Sequence, residues 1–259
     1  MQRRNFVKSS LIAATALTAG KPLQASQNPA QQKALLELRE YEIHFGASEN
    51  DLHNYFQHAL IPALNKYGVK NVGVFKETSK SEPAKIYLLI TYASFETFPV
   101  INAQIKTDDD FKKASTDYMK LPAEKVPFIR YTSKLMIAFD GLTQLAVPAK
   151  EPRIFELRTY ESANEDAAAR KIKMFNDEEF KIFYRTKLTP VFFGEVIAGK
   201  DLPCLTYMIT FSNMEEREKN WAAFGADADW KRVSALPEYA NTVSRITKIF
   251  LEPLAYSQV

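Results

Sequence analysis

The chain has 259 residues, of which 46% are hydrophobic, and it carries 34 basic against 31 acidic side chains. A chain of this length can bury one or two cores, and its nearly balanced charge excludes the strongly basic surface typical of nucleic-acid-binding proteins. Cys204 is the only cysteine, so an intramolecular disulfide is excluded, and its apolar neighbours predict an unreactive thiol in a buried strand.

The first 25 residues have the pattern of an export signal. Arg3-Arg4-Asn5-Phe6-Val7-Lys8 leads into a weakly apolar run from Leu11 to Ala19. This pattern predicts a twin-arginine signal peptide and a periplasmic or otherwise exported protein, with cleavage before Ser26 or, as the other candidate site, at Ala19. The run is about half of the roughly 20 apolar residues that span a membrane, so a removable signal is favoured over a basic amphipathic helix or an uncleaved anchor. Its removal takes away four basic residues and no acid, which leaves 30 basic and 31 acidic side chains.

A seven-residue phrase occurs twice in the chain. Leu36-Glu37-Leu38-Arg39-Glu40-Tyr41-Glu42 returns as Phe155-Glu156-Leu157-Arg158-Thr159-Tyr160-Glu161, an offset of 155 − 36 = 119 residues. The same offset relates Leu89-Ile90-Thr91-Tyr92 to Met208-Ile209-Thr210-Phe211. A repeat of this length predicts a duplicated domain.

In the first half, hydrophobic periodicity predicts a strand, a helix, two strands, a helix and a strand. Leu35 to His44 alternates as a strand, and Glu49 to Tyr67 has the 3, 4, 7 spacing of a helix that should kink or restart at Pro62 and end at Gly68. Further strands are predicted at Val69–Glu77, Lys85–Tyr92 and Phe128–Phe139. Ser94 is the expected N-cap of the second helix, which should break near Thr107–Asp110 and resume to about Met119.

The second half repeats this order. Strands are predicted at Arg153–Glu161, Val191–Ile197, Cys204–Phe211 and Thr242–Leu251, and helices at Glu165–Lys187, Met214–Ala223 and Asp229–Leu236. We therefore expect a first domain at residues 33–140, a linker at 141–152 and a second domain at 153–254. The predicted fold class is α+β: two tandem ferredoxin-like βαββαβ domains whose bare sheet faces pair to form an α/β barrel within one chain.

The ordered set of motifs resembles the NIPSNAP family of the dimeric α/β-barrel superfamily. The resemblance rests on the Glu-Leu-Arg-x-Tyr strand that opens each half, on Tyr207-Met208-Ile209-Thr210-Phe211, and on Trp221 and Asp229-Trp230. The first half departs from it with Asn102 and Phe111 where the second half has Trp221 and Trp230. The resemblance implies a fold more than a reaction, because many members have no assigned reaction.

The repeated strands predict the candidate site residues. Residues two apart on a strand share a face, so Glu37, Arg39 and Tyr41 point one way and Leu36 and Leu38 the other. The second copy places Glu156, Arg158 and Tyr160 opposite Phe155 and Leu157. We expect the leucine face to lie under the helices and the charged face to line the barrel interior. There it would hold an anionic or enolic group, with a glutamate that moves a proton, or it would be a closed ion-pair network that sets strand register.

No metal or cofactor is predicted. Of the three histidines, His44, His53 and His58, the last two are five residues apart on the predicted helix and so do not form the i, i+4 pair that binds a metal. They are expected to be exposed helix residues rather than metal or heme ligands. Asp108-Asp109-Asp110 and Asp227-x-Asp229 are better explained as helix N-caps than as calcium loops. We expect Trp221, Phe224 and Trp230 to form an aromatic core patch, and Glu215–Lys219 to be a solvated helix face.

Three functions remain open from the sequence. The first is an exported protein that binds a small organic molecule in a polar barrel interior, and the second is a cofactor-independent monooxygenase or isomerase that uses the six Glu, Arg and Tyr residues. The third is a non-catalytic structural or interaction protein with a solid barrel. A cavity of about 300 Å³ or more lined by those residues would favour the first two. The sequence predicts no nucleic-acid partner and no membrane span, and it leaves the oligomeric state open.

Overall fold

The computed structural model describes residues 32–79 and 82–259. The predicted export signal, residues 1–25, lies outside the described residues. No helix in the described part of the chain is long and apolar enough to cross a membrane. The predicted boundaries of the two domains and the linker stay predictions.

Each half has the predicted order of elements. The first half contains β1 (Leu35–Ile43), α1 (Asn50–Tyr55), a π-turn (Phe56–Leu60), α2 (Ile61–Lys66), β2 (Gly73–Glu77), β3 (Lys85–Tyr92), α3 (Thr97–Thr107), α4 (Asp109–Ala114), α5 (Thr116–Met119) and β4 (Phe128–Ala138). The second half contains β5 (Ile154–Glu161), α6 (Glu165–Met174), a second π-turn (Phe175–Glu179), α7 (Phe180–Arg185), β6 (Thr189–Ala198), β7 (Cys204–Phe211), α8 (Met214–Ala226), α9 (Ala228–Ser234) and β8 (Arg245–Pro253).

The eight strands close into one antiparallel barrel in the order β1-β3-β2-β8-β5-β7-β6-β4. Each half contributes a ferredoxin-like sheet of four adjacent strands, β4-β1-β3-β2 and β8-β5-β7-β6, so the predicted fold class is confirmed. The two sheets meet at short junctions, where β2 pairs with β8 over Phe75–Glu77 and β4 pairs with β6 over Leu135–Ala138. Closure removes most of the free strand edges that two separate sheets would expose.

The two faces of each opening strand are reversed relative to the sequence prediction. Leu36 and Leu38 lie in the barrel interior with Phe155 and Leu157, in one cluster to which both halves contribute. Tyr41 instead packs under the helices of the first half, and Tyr160 under those of the second. The alternation in the sequence shows that the two faces of a strand differ in polarity. It does not show which face lies under the helices and which face lines the barrel interior. The prediction that Glu37, Arg39, Tyr41 and their repeats line the barrel interior was therefore wrong.

Local signals placed most helix ends correctly. Asp108 caps α4 by accepting a hydrogen bond from the Phe111 amide (2.9 Å), and Asp227 caps α9 by accepting from the Asp229 and Trp230 amides (2.9 and 3.1 Å). Ser94 is not the cap of α3, which begins at Thr97 after Glu96. The predicted restart at Pro62 is confirmed, because Pro62 lies in the first turn of α2.

One end of the barrel interior is apolar and filled, and the other is polar and open. Met136, Phe155, Leu251 and Val259 belong to the filled end, each at most 1% exposed. At the open end, which we call the barrel mouth, a cavity of about 240 Å³ lies above Leu38, Leu157 and Ile249. The residues of its wall occupy the same alternate, inward-facing strand positions as the apolar interior, but they lie nearer the open end of the barrel.

Candidate functional site

In the second half, Glu156 is the centre of a buried ion-pair network. Its Oε1 accepts hydrogen bonds from Arg158 Nη1 (2.9 Å) and Arg217 Nη2 (3.1 Å), and its Oε2 accepts from Arg217 Nε (2.8 Å) and Trp221 Nε1 (2.9 Å). Arg217 and Trp221 are one turn apart on α8, so both reach the same carboxylate from above the sheet. Burial alone would raise the pKa of the Glu156 carboxyl, but the hydrogen bonds from Arg217 and the charge of Arg158 hold it below its usual value.

Aromatic rings surround the Arg158 guanidinium. Its central carbon lies 4.4 Å from the centroid of the Trp221 ring, 5.4 Å from that of Tyr160 and 5.9 Å from that of Tyr207. These distances fit cation–π contacts. The hydroxyls of Tyr160 and Tyr207 are 2.9 Å apart and hydrogen-bonded, and burial raises the pKa of both.

In the first half, Glu37 holds the equivalent position with different partners. Its Oε1 accepts from Arg39 Nε (2.7 Å) and Ser133 Oγ (2.9 Å), and its Oε2 accepts from Arg39 Nη2 (3.1 Å) and the Tyr92 hydroxyl (3.2 Å). Asn102, which replaces the second half's Trp221, donates to the Tyr92 hydroxyl (3.1 Å).

The geometry of both centres fits a closed network better than a catalytic base. Each carboxylate accepts four hydrogen bonds, which is about the number that its two oxygens can hold. The structure brings Glu37, Arg39 and Tyr41 together, and likewise Glu156, Arg158 and Tyr160, but the two groups lie outside the barrel on opposite sheets. The sequence left two roles open for these residues, a ligand-binding pocket and a closed ion-pair network. These observations favour the closed network.

The predicted solvated face of α8 needs one correction. Arg217 turns inward to Glu156, so Glu215–Lys219 is not solvated throughout. The spacing of Arg217 and Trp221 was a sequence signal for this contact. The predicted aromatic patch is confirmed, with ring centroids 5.5 Å apart for Trp221 and Phe224 and 4.5 Å apart for Phe224 and Trp230.

The predicted histidine positions are only partly confirmed. His44 and His58 are exposed, whereas His53 is half-buried between the Tyr256 hydroxyl (2.7 Å) and Glu49 (3.1 Å). Within residues 32–79 and 82–259 no three His, Cys, Asp or Glu side chains are grouped closely enough to hold a metal ion.

The barrel mouth contains a lysine without an acidic partner. Lys134, on β4, points into the barrel and donates from Nζ to Thr206 Oγ1 (3.2 Å) and Thr159 Oγ1 (3.3 Å). Those two hydroxyls are themselves hydrogen-bonded at 3.0 Å. No carboxylate of the described residues lies within ion-pair distance of Lys134. The ammonium group is therefore held in a half-buried position by hydroxyl groups alone.

Two other basic side chains at the mouth are already paired with glutamates. Lys85 contacts Glu40 (2.8 Å) and Arg245 contacts Glu161 (3.0 Å), while Lys200 and Asp201 lie on the loop between β6 and β7. With those pairs neutral, Lys134 remains the cation closest to the hydroxyls of the wall. The mouth therefore favours an anionic group over a cationic one.

Sequence reasoning missed Lys134, Thr159 and Thr206. A signal was present, because Thr132-Ser133-Lys134 interrupts the apolar alternation of β4 with three polar residues in succession. Its meaning depended on knowing that even-numbered residues of β4 face inward, which the repeat did not reveal.

Comparison with known proteins agrees with this fold. Residues 155–258 match the NIPSNAP family. The second half is therefore a NIPSNAP domain, and the matched segment begins in the repeated strand at Phe155. A comparison with curated proteins gives no match.

Solved structures similar to the chain cover nearly all of both molecules. One, named "putative monooxygenase" and from Lactobacillus acidophilus NCFM, has a TM-score of 0.54 and 11% identity over 86% of this chain and 94% of its own. A second of the same name, from Fusobacterium nucleatum, has a TM-score of 0.53 and 10% identity over 86% and 93%. An anthrone oxidase-like protein has a TM-score of 0.52 and 8% identity over 87% and 93%. At such low identity these similarities show the fold alone.

Proposed function

We propose that this protein is exported and binds a small organic anion in the barrel mouth. The observation that carries the proposal is Lys134, an ammonium group inside the barrel whose partners are Thr159 and Thr206 rather than a carboxylate. A half-buried charge without a counter-charge is costly, and a bound anion would offset that cost. The apolar floor of Leu38, Leu157 and Ile249 would accept a short carbon chain.

The cavity sets the size of the ligand. The cavity of about 240 Å³ is smaller than the roughly 300 Å³ expected from the sequence, and its wall contains none of Glu37, Arg39, Glu156 and Arg158, so the proposal rests on Lys134 and not on the predicted pocket. Its volume is just under the range typical of drug-sized ligands, so a molecule of a few carbon atoms fits best. A carboxylate would accept hydrogen bonds from Lys134 and from the neighbouring hydroxyls. The export part of the proposal rests on Arg3-Arg4 and the weakly apolar run that follows.

An enzyme that uses the six predicted Glu, Arg and Tyr residues is not favoured. The monooxygenase and oxidase names belong to proteins of 8–11% identity, and both glutamates here are saturated with hydrogen bonds. A binding protein requires no proton transfer from either group.

Binding can be tested by titrating acetate, propionate and butyrate into the full protein, with the matching amides as neutral controls. We expect the carboxylates to bind and Lys134→Met to weaken them about tenfold or more, because a hydrogen bond to a charged group contributes about 1.5–3 kcal/mol. Lys248→Met, on an exposed lysine of β8, is the matched control and should bind normally.

Equal binding to the wild type and to Lys134→Met would contradict the role of Lys134. Native mass spectrometry of protein taken from the exported fraction checks the other parts. A mass that still includes residues 1–25 would contradict cleavage, and a co-purified small acid that Lys134→Met loses would support the site directly.

A further inference from the structure

Four tyrosines gather around Arg39 on the outer face of the first half. Tyr41 and Tyr131, opposite each other on β1 and β4, stack with ring centroids 4.9 Å apart. Tyr55 on α1 and Tyr118 on α5 stack at 4.1 Å with nearly parallel rings. The Arg39 guanidinium carbon lies 5.7 Å from the centroid of the Tyr131 ring. One arginine and four phenols thus share one small region between the sheet and the helices.

Most of the hydroxyl groups in this cluster take no part in hydrogen bonds within the protein core. The hydroxyls of Tyr55, Tyr118 and Tyr131 have no hydrogen-bond partner among the described residues. Glu37 accepts hydrogen bonds from Nε and Nη2 of Arg39, and the Tyr41 hydroxyl also lies within the reach of this guanidinium. Burial raises the pKa of Tyr55 and Tyr118, so both phenols remain neutral hydrogen-bond donors at physiological pH.

The cluster is specific to the first half. The position of Tyr55 is Met174 in the second half, 119 residues later, and the strand position of Tyr131 is Ile246. A duplicated fold does not require tyrosines at these places, since the second half forms the same elements without them. Tyr131 is also 49% exposed, so about half of its side chain is accessible to solvent even though Tyr41 stacks on the ring and the Arg39 guanidinium lies over it.

We propose that Arg39, Tyr41, Tyr55, Tyr118 and Tyr131 form a second binding site, for an oxyanion attached to a flat ring, such as an aromatic carboxylate. The phenol hydroxyls and the guanidinium are donors, which suits an oxyanion, and the solvent-exposed part of Tyr131 offers an aromatic surface that a flat ring can contact. The site lies on the opposite face of β1 from the barrel mouth, so its occupation is independent of the function proposed above.

The experiment uses benzoate as the probe and the full chain with tyrosine rings labelled for NMR. Titrations are made in the Lys134→Met background, which removes the cation of the barrel mouth. We expect benzoate to shift the ring resonances of the four cluster tyrosines. Removal of two hydroxyls in Tyr118→Phe/Tyr131→Phe should weaken binding about tenfold, because each lost hydrogen bond has a modest net effect.

The control is Tyr184→Phe, since Tyr184 is an exposed tyrosine of α7 outside the cluster, and it should bind benzoate normally. Phenylalanine keeps the rings, so circular dichroism should show both variants folded. Benzoate that leaves the cluster resonances unchanged, or that binds the double variant as well as the parent, overturns the site. Equal binding of benzamide overturns the oxyanion class, and binding seen only when Lys134 is present assigns benzoate to the mouth instead.

Discussion

Glu156 and Glu37 are equivalent glutamates that differ in the charge around them. Glu156 is fully buried and has two arginine partners, Arg158 and Arg217, whereas Glu37 has Arg39 alone and completes its contacts with hydroxyl groups. Position 98, which corresponds to Arg217, is a phenylalanine. The second network therefore depends more strongly on the negative charge of its glutamate.

This difference predicts unequal effects of charge removal. Glu156→Gln should lower the free energy of unfolding by about 3 kcal/mol, because two arginines lose their counter-charge in a buried place. Glu37→Gln should cost less, about 1.5 kcal/mol, since only one arginine, Arg39, loses its counter-charge and the hydroxyl partners can reorient toward an amide. Urea denaturation of both variants, with unchanged m-values, measures the difference, and equal losses would show that Arg217 adds nothing.

At the residue scale the sequence revealed which residues belong together but not where they lie. The spacing of Glu37, Arg39 and Tyr41 correctly placed them on one face. It could not show that this face lies under the helices, because the partners that satisfy Glu156 come from α8, 61 and 65 residues away. Lys134 was missed for the same reason, as its hydroxyl partners belong to the other half of the chain.

The two π-turns are the elements that best display the duplication. They occupy Phe56–Leu60 and Phe175–Glu179, an offset of 119 residues at both ends. Only the first is followed by a proline, Pro62, so the proline does not cause the turn. The sequence predicted an interruption at Pro62 from local chemistry and missed its twin in the second half, which no proline or glycine marks.

The π-turns and the helices before them bury different side chains in the two halves. Leu52 and Leu60 pack in the first core, and the residues 119 later are Lys171 and Glu179, a hydrogen-bonded ion pair whose members are 4% and 2% exposed. Burial raises the pKa of the Glu179 carboxyl, which shows the cost of placing a charge there.

The leucine pair of the first half therefore suggests a double substitution at the equivalent positions of the second half. Lys171→Leu/Glu179→Leu should leave the free energy of unfolding unchanged or raise it by up to about 4 kcal/mol, because an apolar pair of suitable shape avoids desolvation of two charges. Glu179→Leu alone should lower it by about 3–5 kcal/mol, since Lys171 would remain buried without a partner. Thermal and urea unfolding check both, and a double variant less stable than the single one would contradict the argument.

At the scale of the whole molecule, duplication and period-two strands were sufficient to predict the closed barrel. The interior itself was predicted with the wrong lining, because a barrel core is shared by two sheets whose contributions are far apart in sequence. Phe75 and Phe155, for example, meet across the interior with ring centroids 5.0 Å apart. Only the assembled barrel shows that apolar residues fill one end and leave the polar mouth open at the other.

A shared interior predicts that neither half is stable alone. Residues 32–140, expressed separately, would expose Leu36, Leu38 and Phe75 to water, and residues 153–259 would expose Phe155 and Leu157. Each buried side chain of this kind contributes roughly 1.5–3 kcal/mol, so the loss of several of them is comparable with the whole stability of a typical domain, about 5–15 kcal/mol. We expect each half alone to aggregate or to pair with itself, and the two halves together to form a 1:1 complex that unfolds cooperatively, as seen by size exclusion with light scattering and by denaturation. If either half proved monomeric and cooperatively folded alone, its exposed sheet face would have to be stable without the other, and the shared core would not be what holds the barrel together.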